Sequence, residues 1–384
     1  MKSFDMGRTP PVTFGAGRVA ETPAIAAAFG RGGPTLVVAD AFLAEIGATD
    51  ALMKGIEGEL AADVAGEPKE ALIDALSARA REIGAAAVVG MGGGAAMDAA
   101  KLVAAIAPSG APAADFALAA KPFAGDGLPA IAIPTTAGTG SEVTRTSIVS
   151  AADGTKNWFW GEELMFAHAI LDPALTVSLP PHLTAWTGID AVAHALEATT
   201  SRSSNWGGRL YGLEALRILS GALPKAVATG DDADVRGQVL WGSMVAGLAL
   251  HNCNTHMGHN ISHSIGSLSR IHHGLATGLA LEVTLPWLAD RPDGGDVYAL
   301  AAEAMGGDAG AASLPVVFAD LMRSCGIARE LPAVCAEVST SELADVMKSA
   351  ANFGMAQNAA CEIGHGDLDE MAGMMMALPL AEAA

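Results

Sequence analysis

Residues 85–101, AAAVVGMGGGAAMDAAK, place a short apolar run, three consecutive glycines and a helix-forming segment in direct succession. An unbroken apolar run of that length suits a strand buried on both faces, and a strand turning through glycine into a helix is the unit from which parallel sheets are built. The prediction is a strand over 85–91, a loop at Gly92, Gly93 and Gly94, and a helix from about Ala95. Backbone N–H groups at such a helix start can approach a phosphate, because glycine puts no side chain in the way and the helix dipole favours negative charge. The same glycines serve a tight turn equally well.

The pattern recurs through the first half. Residues 34–40, PTLVVAD, read as a buried strand feeding a helix, and 67–84 read as a helix with Pro68 in its first turn and Leu72, Ile73, Leu76 and Ala80 on one face. Residues 128–134, LPAIAIP, form a further strand that runs into TTAGTGSEVT. There Thr135, Thr136, Thr139 and Ser141 put four hydroxyls just past a strand end, where ligands bind in open α/β sheets. Asp40, at the end of its strand, either accepts hydrogen bonds from an adenosine ribose and repels a 2′-phosphate, or caps the next helix. Asp98 and Lys101 read as an i,i+3 pair on a helix surface.

Pro173, Pro180 and Pro181 interrupt regular structure, and from Leu183 onward alanine, leucine and methionine recur at three- and four-residue spacing. The chain therefore divides at 180/181 into an α/β domain (1–180) and an all-α domain (181–384). The methionines of MAGMMMALPL, near the C-terminus, read as helix core or an interface.

Within the helical part, residues 251–273 hold six of the ten histidines. His256, His259 and His263 are three and four apart, so a helix through them projects all three rings the same way. Asp190 and His194 repeat the four-residue step with a carboxylate added. Several buried imidazoles without a shared partner would each cost about 1–3 kcal/mol, which favours a cation held among them; neutral imidazole and carboxylate suit Fe, Zn, Mn or Co. Spacing alone leaves His256, His259 and His263 as alternatives.

Composition excludes other classes. With 51% hydrophobic residues in 384 the chain has material for a large core, and its net charge of −20 argues against nucleic-acid and anionic-membrane partners. Mean hydropathy is +0.35, but the excess comes from alanine and glycine, and charges such as Asp98 and Lys101 interrupt the apolar runs, so no membrane span is expected. The N-terminal MKSFDMGRTPPVTF lacks the apolar core of a signal peptide, and four cysteines without CxxC spacing fit reduced thiols in a cytoplasm.

In order along the chain, VVAD at Asp40, GGGAAMDAAK, IPTTAGTGSEVT, LDPALT, GIDAVAHALEA, HxxxH and HHG resemble the iron-containing (group III) alcohol dehydrogenase family over essentially the whole sequence. The resemblance implies a dehydroquinate-synthase-like architecture: an α/β dinucleotide-binding domain, an all-α domain, and NAD(P) and a divalent metal in the cleft between them. It implies metal ligands at Asp190, His194, His259 and His273, and a substrate-side or proton-moving role for His263. It also implies cofactor contacts at Asp40, Gly92, Gly93, Gly94, Ala95, Asp98, Thr135, Thr136, Thr139 and Lys156.

The implied activity is hydride transfer between NAD and a small alcohol, aldehyde or ketone, with Fe(II), or alternatively Zn(II), polarising the substrate oxygen, in a homodimer or larger assembly. The PVTFGAG segment is a candidate intersubunit strand. The alternatives are a dehydroquinate-synthase-like lyase that uses NAD transiently and a non-enzymatic metal-binding protein. Departures from the family pattern are Ala95 where serine is usual, Glu67 where asparagine is common, an aromatic NWFW after Lys156, and no Asn-Pro-Arg near the C-terminus.

Overall fold

The apolar runs of the first half become strands of one parallel sheet in the computed structural model, which describes residues 3–381. In chain order the strands are β1 (Val12–Phe14), β2 (Thr35–Asp40), β3 (Gly58–Val64), β4 (Ala87–Gly92), β5 (Ala130–Pro134), β6 (Thr146–Ser150), β7 (Lys156–Trp160) and β8 (His168–Leu171). Six of them form the sheet in the order β1-β8-β5-β4-β2-β3, while β6 and β7 make a separate antiparallel hairpin. Val37, Ala39, Val89, Met91, Ile131, Ile133 and Ile170 meet in its core, as expected of strands covered on both faces.

Helix α1 (Gly94–Ile106) follows β4 directly and is buried almost throughout. The segment containing Pro68 differs from expectation. Lys69 is extended (φ −108°, ψ 152°) and the helix begins at Glu70, because Pro68 O accepts the Ser150 N–H at 2.9 Å and ties this stretch to β6. The PVTF strand pairs within its own sheet, β1 running parallel to β8 with Val12 opposite Ala169, and lies at the edge of that sheet.

The described residues form two compact units, 8–177 and, as the second, 3–7 with 178–381. The first residues join the helical unit at Gly7, whose N–H donates to Asn252 Oδ1 at 2.9 Å. The second unit is built on α2 (Pro181–Thr200), α3 (Trp206–Ala228), α4 (Ala233–Cys253), α5 (Met257–Leu268) and α6 (His273–Ala289), followed by shorter helices. Proline at the first position of α2 matches its preference for the start of a helix. From Gly188 to Thr200 every residue of α2 is buried, packed among α3, α4 and α6. Met371 and Met375 of the methionine-rich segment are core residues. No single helix among the described residues is long and apolar enough to cross a membrane.

Candidate functional site

In the α/β unit the glycine turn and the hydroxyl-rich loop lie side by side. Gly92 ends β4 with φ +151°, and its carbonyl accepts the Thr135 N–H at 2.9 Å. A Cβ at Gly94 would stand 2.6 Å from Thr139 Cγ2, and one at Gly93 would stand 3.4 Å from Thr136 Oγ1. The absence of side chains thus lets the two loops close together at the N-terminus of α1, with Ala95 in its first turn. Asp40 takes up its capping alternative with one oxygen, Oδ1, which accepts the Phe42 N–H at 2.9 Å.

Asp98 and Lys101 are not a surface pair. The Lys101 side chain is 0% exposed and donates from Nζ to Thr144 Oγ1 (3.0 Å) and Thr146 O (2.8 Å), 4.0 Å from Asp98. Asp98 accepts from Ser141 Oγ at 2.6 Å and the Ile148 N–H at 2.9 Å, so both its oxygens hold the 141–148 segment to α1. Burial pushes the Lys101 ammonium down to about 8 despite Asp98 and Glu142, and pushes the Glu142 carboxyl up to about 7. Lys156 pairs with Glu67 at 2.7 Å, and Glu67 also accepts from Ser150 Oγ at 2.6 Å. Arg145 pairs with Glu162 and lies over the Trp160 ring at 4.4 Å.

The helical unit gathers the second group. Asp190 and His194 are one turn apart on α2, His259 and His263 one turn apart on α5, and His273 opens α6. One ligand atom each of Asp190, His259 and His273 lies within 4.8 Å of the others. Asp190 Oδ1 is 3.8 Å from His259 Nε2 and 3.5 Å from His273 Nε2. His194 Nδ1 is 4.0 Å from Asp190 Oδ2, and its ring stacks on His259 at 4.6 Å. His273 can stand so near Asp190 because Gly274 follows it: a Cβ there would fall 2.1 Å from Trp186 O of α2.

Burial, with His194 nearby, pushes His259 down to about 3 against the pull of Asp190, so its ring is neutral at ordinary pH. His263 sits to one side, its ring 6.1 Å from that of His259 and 5.2 Å from that of His273. His256 does not share their helical face. Asn254 takes a left-handed φ of 57°, and His256 is the non-helical residue before α5, so its ring turns to Thr200, Nε2 to Oγ1 at 2.9 Å.

One participant escapes the sequence reading altogether. Glu197, fully buried, has Oε2 at 2.5 Å from His259 Nδ1 and Oε1 accepting the Gly258 N–H at 2.5 Å. The available signal was its spacing: 190, 194 and 197 form an i, i+4, i+7 stripe on one helix face.

The family model described as iron-containing alcohol dehydrogenase matches residues 9–173, and that described as Fe-containing alcohol dehydrogenase family, C-terminal, matches 184–365. The chain belongs to the iron-containing alcohol dehydrogenase family.

Among curated proteins it is 36% identical over 260 residues to long-chain-alcohol dehydrogenase 1 of Geobacillus thermodenitrificans, covering 66% of each chain. It is 33% identical over 255 residues to the NAD-dependent methanol dehydrogenase of Bacillus methanolicus, covering 64% of this chain and 65% of that one. The match thus spans just under two thirds of the length of these relatives. Among solved structures, sulfoacetaldehyde reductase from Bifidobacterium kashiwanohense in complex with NAD+ superposes with a TM-score of 0.89 at 28% identity, covering 98% of this chain and 100% of that one. As a member of the iron-containing alcohol dehydrogenase family, this chain brings Asp190, His194, His259 and His273 into one cluster and carries Ala95 in the first turn of α1.

Proposed function

We propose that the protein is an NAD-dependent, metal-dependent dehydrogenase that interconverts a small alcohol and its aldehyde or ketone by hydride transfer. The observation that carries this reading is a pair of buried acceptors facing each other. Asp190 Oδ1 and His259 Nε2 have no hydrogen-bond partner, and they lie 3.8 Å apart. A shared cation satisfies both at once.

The donor set fits the group. Asp190, His194, His259 and His273 would hold a divalent ion, and one carboxylate with three imidazoles suits Fe(II); Zn(II) binds such sites more tightly by the Irving–Williams order. When bound, the ion supplies Lewis-acid polarisation of a substrate oxygen, and the nicotinamide supplies the acceptor or donor of hydride. The chain's own residues do the rest. His263, beside His273 but outside the closest group, positions the substrate and passes its proton. The loops at Gly92, Gly93, Gly94, Ala95, Thr135, Thr136 and Thr139 present backbone N–H groups and hydroxyls to the pyrophosphate. Asp98 acts by pinning the 141–148 segment. Lys156 and Asp40 serve the ribose side, where a carboxylate favours NAD over NADP.

The NAD-dependent methanol dehydrogenase and the NAD+ complex among its relatives support this choice of cofactor. The proposal extends to a cytoplasmic homo-oligomer acting on small molecules. Its four free, buried cysteines support the compartment. The test is anaerobic incubation of Fe(II)-loaded protein with NAD and a panel of primary alcohols, diols and hydroxy acids. Accumulation of NADH supports the reading; no NADH with any of them overturns it, and a lyase that recycles its NAD would give that result.

A further inference from the structure

We infer that the buried Glu197 is a positioning residue that fixes which ring nitrogen His259 turns toward the cation and so how tightly the site holds metal. The inference rests on the metal-site reading above and adds a residue that this reading does not use.

The side chains around Glu197 can be assigned atom by atom. Thr200 Oγ1 gives its single proton to Leu196 O at 2.8 Å. Toward His256 Nε2, at 2.9 Å, it can therefore only accept, so that nitrogen carries a hydrogen. The ring held in this way packs against the carboxylate, His256 Nδ1 at 3.3 Å from Glu197 Oε1 and both side chains 0% exposed, but that nitrogen carries no hydrogen and makes no hydrogen bond to it. The same Oε1 accepts the Gly258 N–H at 2.5 Å. A side chain at 258 would intrude to 3.1 Å from that oxygen, so glycine keeps its seat open. With Oε1 held by that N–H, Oε2 points at His259 Nδ1, 2.5 Å away. A carboxylate accepts and does not donate, so Nδ1 holds the ring proton and Nε2 is left as a lone pair facing Asp190 Oδ1 at 3.8 Å.

Two segments build the whole arrangement. Helix α2 supplies Glu197 and Thr200 three residues apart on one face. The turn before α5 supplies His256, Gly258 and His259, with the left-handed Asn254 swinging His256 off the helix and into the gap. A ring in that position also keeps water from competing for the carboxylate. An outer carboxylate behind a ligating imidazole raises its basicity and fixes its tautomer.

The experiment compares Glu197→Gln and Glu197→Asp with the parent and with His259→Ala. The readouts are the Zn(II) dissociation constant, from competition with a chromophoric chelator, and the visible spectrum of the Co(II)-substituted protein. Circular dichroism of the metal-free chains controls for folding. Glu197→Gln is expected to weaken Zn(II) binding by about 10- to 100-fold and to shift the Co(II) bands. Glu197→Asp, which keeps the charge but draws the carboxylate back from His259 Nδ1, should weaken binding in the same direction and by less. If Glu197→Gln fails to fold, Glu197→Asp decides. Parental affinity and spectrum in both Glu197→Gln and Glu197→Asp, with metal lost in His259→Ala, overturns the inference and leaves the metal site standing. Equal binding by the parent and His259→Ala overturns both.

Discussion

Asp190 Oδ1 and His259 Nε2 face each other across 3.8 Å inside the helical unit, each without a hydrogen-bond partner. Two unpaired buried acceptors cost about 1–3 kcal/mol each, so the fold carries a local penalty that a cation removes. A saturating divalent metal should therefore raise the melting temperature: at 100 times Kd the linkage contributes about 2.7 kcal/mol. Asp190→Asn should lose most of that gain. Calorimetric scans with and without Zn(II) check this, and identical scans for the parent would contradict it.

His259 and His263 are one helical turn apart but differ in setting. His259 Nε2 lies 3.8 Å from Asp190 Oδ1, whereas the His263 ring stands to one side, 6.1 Å from that of His259 and 5.2 Å from that of His273. His259→Ala should abolish metal retention and turnover together. His263→Ala should keep its metal by elemental analysis while its kcat falls or its pH profile shifts, as expected of a group that positions substrate or moves a proton. A metal-free His263 variant beside a metal-replete His259 variant would redraw the ligand set.

Much of this was legible because the governing physics is local. The run at 87–92, its glycines and the helix after them announce a βα unit, and Asp190 and His194 advertise a shared face by spacing alone. What escaped depends on contacts distant in sequence. Glu197 looks like any acid on an alanine-rich helix until α5 is packed against it. His256 seemed to continue the HxxxH face because nothing in the sequence announces the left-handed turn at Asn254. Lys101 read as a surface partner of Asp98, yet β6 and the loop before it cover both. The β6–β7 hairpin was missed although Asp153-Gly154, a turn-forming pair, lies between its strands.

The third glycine of the loop should be intolerant of any side chain. In Gly94→Ala the new methyl would meet Thr139 Cγ2 at 2.6 Å, forcing the hydroxyl loop away from α1. Such overpacking costs about 1–3 kcal/mol, and the NAD dissociation constant, read by fluorescence titration, should rise at least tenfold. An unchanged constant would remove this loop from the cofactor site.

Glu142 gives the α/β unit a pH signature. Burial raises its folded pKa from 4.5 to about 7. Between those values the folded chain keeps a proton that the unfolded chain has lost, so stability falls as pH rises through this window. The full penalty stands above pH 7 and is absent below 4.5; at 1.36 kcal/mol per unit it is about 3 kcal/mol at most. Glu142→Gln should flatten the slope of unfolding free energy between pH 4.5 and 7, while Lys101 keeps Thr144 and Thr146 O as partners. A slope parallel to the parent's would exclude Glu142 as its source.

The central claim is that a divalent ion held by Asp190, His194, His259 and His273 makes this chain a dehydrogenase. The most direct measurement titrates Fe(II) anaerobically into metal-stripped protein, following bound iron and the rate of NADH formation from a turned-over alcohol in the same samples. The expected result is a rate that climbs in proportion to bound iron, levels off at one ion per chain and vanishes on chelation. A rate independent of bound iron, equally high in stripped protein, would contradict the account.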